Sequence, residues 1–210
     1  FDPKDTSVVY LCYFSTKGGR VIQVTQNAGV SWTDVTPPNM KSNAGGYSSP
    51  ISAIACGDIA PSKVWVGKSM IQYDNNGDPV SVDRAIFSDN YGLNDSWVDV
   101  SDGLPPFPVT SLVYQSGSDD IVYAGTDVGV YRFVKQTPIE NSYWVCFNNN
   151  FPRSLINDLE INYCEGKIRA ATHGRSMWES DLFIPNNEPG VSNSITFPHT
   201  SSMCCSTWKK

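Results

Sequence analysis

Fold choice in this chain is constrained above all by one order of short apolar runs that returns four times. The first unit reads as strands over residues 7–14, 19–24 and 32–38. The second runs through 50–55, 63–67, an insertion, 84–87 and 96–100, and the third through 109–114, 121–126, 129–133 and 143–147. The fourth supplies 156–161, 167–172 and 176–182, with no fourth strand evident. Trp97 returns as Trp144 and Gly125 as Ala171 at nearly one interval, while the step from Gly67 to Gly125 is lengthened by the insertion. A repeat of roughly 40–50 residues with four strands is a unit that buries its faces only against its neighbours, as a propeller blade does.

The phase of the repeat is set by Thr25-Gln26-Asn27-Ala28-Gly29-Val30-Ser31-Trp32. An Asn two residues before a Gly, between apolar runs, supplies a side-chain acceptor for the turn and a residue that tolerates positive φ. Thr25 and Ser31 can bond locally, and Trp32 offers a large apolar body. Ser88, Asp89, Gly92, Ser96 and Trp97 repeat the pattern, but Leu93, Asn94 and Asp95 stand where the first copy has Val30 alone, so that hairpin is expected to bulge.

This pattern, Ser/Thr-x-Asp/Asn-x-Gly-x-Ser/Thr-Trp, resembles the Asp-box of bacterial neuraminidase repeats, sortilin-type receptors and xyloglucan-hydrolysing enzymes. The resemblance implies an all-β propeller of about four blades, over 1–48, 49–107, 108–153 and 154–183, with 184–210 a linker or extension. The first unit lacks its innermost strand and the last its outermost, so the expectation is the C-terminal part of a larger propeller whose remaining blades complete the ring. It also implies a structural role for Thr25, Asn27, Gly29, Ser31, Trp32, Ser88, Asp89, Gly92, Ser96 and Trp97, at the blade periphery. The run 170–182 is similar to the closing blade of large secreted bacterial proteins with glycosyl-hydrolase-like repeats, which implies a secreted or cell-surface setting.

Composition narrows the partners. Charged residues make up 17%, and 21 acids against 15 bases give a net charge of −6 with no basic run, which argues against nucleic acid. No apolar run approaches the roughly 20 residues a membrane helix needs. Six cysteines show no zinc spacing, and Cys12, Cys56, Cys146 and Cys164 stand in strand-like contexts. The start at Phe1 reads as a processed end or a fragment.

Candidate chemistry is sparse. Asp58, Asp127 and Asp158 stand near inner-strand ends or turns and are the candidate carboxylates of a glycoside hydrolase, which needs a pair at defined separation. The sialidase Phe/Tyr-Arg-Ile-Pro segment is missing, and xyloglucanase-type enzymes place their two catalytic aspartates in different halves of the molecule. Asp74, Asn76 and Asp78 alternate as in a calcium loop, but Pro79 and Ala85 stand where that loop needs Gly and Glu, so a hairpin tip is the better reading and no cofactor is expected. His173 and Arg175 suit an anionic or sugar ligand, or merely a turn matching 126–129, and Tyr91 and Phe107 are loop aromatics able to stack on a sugar ring. Trp65 and Tyr131 alternate like core residues. The expected function is a non-catalytic module that binds a carbohydrate or protein partner or plays a structural role, with part of a glycoside hydrolase as the alternative.

Overall fold

The computed structural model describes residues 5–14, 20–37, 51–58, 60, 62–69, 72–73, 79–81 and 84–185. Sheet 1 is formed by β1 (Val9–Phe14), β2 (Arg20–Thr25) and β3 (Thr33–Asp34) in that order. Next come β4 (Ile51–Cys56), β5 (Val64–Lys68), a small separate hairpin of β6 (Gln72–Tyr73) and β7 (Pro79–Ser81), then β8 (Ala85–Ser88) and β9 (Val98–Asp99). Sheet 2 is β4-β5-β8-β9. Sheet 3 takes β10 (Val109–Tyr114), β11 (Val122–Thr126), β12 (Gly129–Val134) and β13 (Tyr143–Cys146), and sheet 4 takes β14 (Ile156–Asn162), β15 (Lys167–Thr172) and β16 (Met177–Asp181), each in sequence order. All pairings are antiparallel, and the helical residues among those described are the 3-10 turns Leu93–Asp95 and Ile139–Asn141.

The sheets pack face to face in chain order, with β10 against both β4 and β14. Consequently β5 and β11 are buried along their whole length, which explains their apolar and small residues up to the closing Lys68 and Thr126. Sheets 1 and 2 share a core of Val8, Ile22, Val24, Val35, Ile51, Val64, Val66 and Ile86. Between sheets 2 and 3, Trp65 meets Phe87, Tyr114 and Phe133 at ring centroids 4.8, 5.7 and 6.2 Å apart, with Trp144 5.2 Å beyond Phe133. Tyr123, Ile156, Leu159, Ile161 and Ile168 fill the third interface.

A small residue sets how closely inner strands approach. A Cβ on Gly67 would lie 2.6 Å from Val109 Cγ1, and one on Gly125 would lie 2.7 Å from Ile156 Cγ2. By register the same place is held by Cys12 in sheet 1 and Ala171 in sheet 4. The buried aromatics Trp65 and Tyr123 give way to Arg169 in sheet 4, which pairs with Glu179 at 3.3 Å and with Glu165, while Lys167 pairs with Asp181 at 2.6 Å.

The turn at 25–32 is held by two side chains. Thr25 Oγ1 donates to Asn27 Oδ1 (2.9 Å) and accepts from the Gly29 N–H (2.9 Å), while Asn27 Oδ1 also accepts from the Ser31 N–H (2.9 Å) and Asn27 Nδ2 donates to Ser31 Oγ (2.8 Å). In the second copy Ser88 Oγ accepts from the N–H groups of Asn90 (3.0 Å) and Gly92 (2.8 Å) and pairs with Ser96 Oγ at 2.7 Å. Asn90, rather than Asp89, therefore stands where Asn27 stands, and the segment lengthened by two residues winds into the 3-10 turn with Asn94 and Asp95 at positive φ. Asn27→Ala, which strands the Ser31 N–H at an exposed turn, is expected to cost about 1 kcal/mol in urea denaturation without changing the m-value.

Candidate functional site

Each sheet presents two ends. One end carries the β4–β5, β10–β11 and β14–β15 turns together with the 25–32 and 88–97 hairpins, which meet there through the Tyr91 N–H on the Ser62 carbonyl (2.7 Å). The other carries the β11–β12 and β15–β16 turns and the connections that lead into β10 and β14.

The candidate residues divide between these ends. Asp58 is 2% exposed at the first end, where its Oδ2 accepts from Ser116 Oγ and from the Gly117 N–H (2.9 Å), tying sheet 2 to sheet 3. Tyr91 lies at the same end, half-buried at φ 57 against the core of sheets 1 and 2. Asp127, Asp158, Phe107, His173 and Arg175 occupy the other end. Asp127 is half-buried in a turn held by Thr126, whose Oγ1 donates to the Gly129 carbonyl (2.9 Å). Asp158 is exposed, and its Oδ1 accepts from Ser111 Oγ (3.1 Å) and the Leu159 N–H (2.9 Å), beside the bulge that opens β14. His173 and Arg175 are exposed in the β15–β16 turn, fixed by the His173 N–H on the Leu155 carbonyl (2.9 Å) and by Thr172 Oγ1 on the Ser176 carbonyl (2.6 Å). Thus Asp158, His173 and Arg175 share sheet 4, while Phe107 and Asp127 reach the same end from the connection after sheet 2 and from sheet 3. Asp74, Asn76 and Asp78 lie outside the described residues, and no cluster of metal-ligating side chains occurs among those described.

Three features were not legible in the sequence. The first is an ionic latch: Asp120, buried at φ 62, holds Lys63 of the β4–β5 turn and Lys135 (2.8 Å) after β12, and Lys135 also reaches Asp119 (2.7 Å). Burial opposes the charge on Lys135, yet the hydrogen bonds to Asp119 and Asp120 hold its pKa well above the usual lysine value. The Lys135 hydrogen bond in turn keeps Asp119 below the usual carboxylate range.

The second is a pair of buried phenols. Tyr123 donates to Gln115 Oε1 (2.8 Å) and accepts from the Phe183 N–H (2.8 Å), and burial pushes its pKa up to about 12. Burial, then the charges of Asp120 and Asp58, raise Tyr114 as well. A phenol whose folded pKa is raised contributes stability that is complete below its unfolded pKa of about 10 and is lost as pH climbs through the folded value. Absorbance titration at 295 nm should therefore show some tyrosines ionising only above about pH 11, together with loss of the circular-dichroism signal.

The third is a cavity of about 290 Å³ between sheets 3 and 4, lined by Phe147, Phe151, Leu159, Ile168 and Trp178 together with the polar Asn149, Asn150 and Glu179. Trp178 is 40% exposed, meets Phe151 edge-on at 5.5 Å and donates its indole N–H to the Arg175 carbonyl (2.8 Å).

No family model and no curated protein sequence matches the chain. Several solved structures do. The GH74 xyloglucanase from Xanthomonas campestris matches with a TM-score of 0.53 at 14% identity, over 85% of this chain and 27% of that one. The GH74 enzyme of Niastella koreensis gives 0.52 at 15% identity, over 82% and 25%. YCF48 from Cyanidioschyzon merolae gives 0.50 at 14%, over 82% and 52%. The chain spans about a quarter of the GH74 enzymes and about half of YCF48. With its sheets packed face to face in chain order, it is an all-β protein built of β-propeller blades.

Proposed function

We propose that this chain is a non-catalytic module of a larger Asp-box propeller, secreted or on the cell surface, that offers a glycan or protein partner the end carrying Phe107, His173 and Arg175. The observation that carries this reading is the engagement of two of the three candidate acids. Asp58 is sealed between two sheets by Ser116 and Gly117, and Asp158 Oδ1 accepts from Ser111 Oγ and the Leu159 N–H. A glycosidase needs two carboxyls facing one scissile bond across roughly 5–9.5 Å, and an acid that fastens sheet to sheet is not offered to a substrate. Phe107 at 40% exposure, with His173 and Arg175 exposed, supplies a stacking surface and charge for a polar ligand. The Thr25–Trp32 and Ser88–Trp97 hairpins support the Asp-box assignment through their hydroxyl-anchored turns.

The test is a glycan array and a hydrolysis assay on the same preparation. Saturable retention that falls at least tenfold in Phe107→Ala or Arg175→Ala, with no sugar released from xyloglucan, is the expected result. Release of sugar that disappears in Asp127→Asn or Asp158→Asn would overturn it.

A further inference from the structure

Sheets 1 to 3 close with one main-chain device that frees a carbonyl for an outside donor. Val35, Val100 and Phe147 donate their N–H groups to the carbonyls of Ile22 (3.0 Å), Ala85 (3.0 Å) and Val130 (2.9 Å). In an antiparallel pair the bond would ordinarily be returned, N–H for N–H. Here the next residue's side chain intercepts it: Thr36 Oγ1 accepts from the Ile22 N–H (2.9 Å), Ser101 Oγ from the Ala85 N–H (3.0 Å) and Asn148 Oδ1 from the Val130 N–H (2.7 Å). The carbonyls of Val35, Val100 and Phe147 are thus released at equivalent positions. The first accepts the indole N–H of Trp97 (2.8 Å) and the second that of Trp144 (2.7 Å), each tryptophan coming from the following sheet. The third accepts no hydrogen bond among the described residues.

Phe147 lines the 290 Å³ cavity, whose other walls include Leu159, Ile168, Phe151 and Trp178. The cavity is bordered by β16, which pairs with β15, is outermost in sheet 4 among the described residues and has all five residues exposed. Trp144 stands opposite Phe133, and aligning the Ala170–Trp178 pair with Ala124–Tyr131 puts Ser180 in the place of Phe133. An extended segment laid antiparallel on β16 with a tryptophan across from Ser180 therefore repeats the Trp144 arrangement. Its next residue falls opposite Glu179. Around that position the carboxylates of Glu165, Glu179 and Asp181 meet only the two cations Lys167 and Arg169, so a basic residue is favoured there.

We propose that this place recognises a tryptophan carried on an extended segment of a separate polypeptide, with a lysine or arginine directly after the tryptophan. The segment adds to the open edge of β16 through main-chain hydrogen bonds, while its indole enters the cavity and donates to the Phe147 carbonyl. Phe151 and Trp178, edge-on to each other at 5.5 Å, supply the aromatic wall for the ring. Selectivity follows from the released carbonyl, since a phenylalanine of similar bulk brings no donor to it. The chain itself shows the preference twice, at Trp97 and Trp144. The site is built from residues of sheets 3 and 4 and does not rest on any ligand at the Phe107 end.

The experiment is fluorescence anisotropy with the full chain and a fluorescein-labelled hexapeptide, Thr-Thr-Trp-Lys-Val-Thr. Saturable binding is expected, falling about tenfold when phenylalanine replaces the peptide's tryptophan and about threefold when glutamate replaces its lysine. Phe151→Ala should weaken it about tenfold as well, and the peptide-side changes keep the test decisive where that variant folds poorly. N-Acetyltryptophanamide, which has the indole without the strand, should compete only weakly. Absence of saturable binding overturns the proposal, as does equal affinity for the tryptophan and phenylalanine peptides. Competition by N-acetyltryptophanamide as strong as by the unlabelled peptide overturns it too, since the site would then take a free indole rather than a strand. Binding that appears only in Trp208→Ala also overturns it, because the occupant would then be the chain's own end.

Discussion

Trp65→Ala is expected to lower the unfolding free energy by about 3–5 kcal/mol, the cost of a large cavity in a core that cannot collapse around it. The ring is fully buried and touches three aromatic side chains drawn from sheets 2 and 3, so its loss loosens both sheets at once. Domains of this size are held by about 5–15 kcal/mol, which makes the variant marginal or unfolded at 37 °C. Trp65→Phe should be much milder, because it keeps most of the ring area and removes an indole N–H that has no partner among the described residues. Urea midpoints for the two variants check the pair. Similar losses would mean that shape at this site matters less than the packing implies.

Gly125→Ala should cost about 1–3 kcal/mol and Gly125→Val more, because the added atoms meet a neighbour with nowhere to go. Ile156 Cγ2 and Cβ lie 2.7 and 2.9 Å from where the new Cβ would stand, and Ile156 is itself fully buried. Relief requires β14 to move away from β11. The reciprocal change, Ala171→Gly, is expected to cost only about 0.5–1 kcal/mol, the ordinary entropic penalty of a strand glycine. Thermal denaturation of both single variants distinguishes a packing requirement from a propensity effect. Equal losses at the two equivalent positions would show that the close approach at Gly125 is unimportant.

Strand order was legible because β-branched and aromatic runs with turn residues between them leave few alternatives, and the hydroxyl-anchored hairpins at 25–32 and 88–97 set the phase of the first two units. Trp65 is core as expected, but because β5 is buried on both faces rather than through alternation along it. What the residues did not reveal is tertiary in origin. Asp58 looks like any turn acid until the Ser116–Gly117 turn of the next sheet is laid against it. Asp89 drew attention by its charge, whereas the turn is organised by distance from the hydroxyl at Ser88, which selects Asn90. The cavity beside Trp178 needs Phe147 and Phe151 from a different sheet, so no local pattern announces it. The equivalence of Ser88, Phe133 and Ser180 is invisible to residue type and appears only through pairing register.

The contrast between the two outermost faces gives the molecule a direction. On sheet 1, Leu11, Tyr13 and Trp32 are exposed apolar groups, whereas the far face of sheet 4 carries Arg169, Lys167, Glu179 and Asp181 in ion pairs around the exposed Met177. An isolated chain accordingly exposes an apolar cluster at one extremity and a mainly charged surface at the other. Its self-association in solution should proceed through sheet 1, and added sulfate, which strengthens apolar burial, should promote it while leaving the sheet 4 extremity untouched.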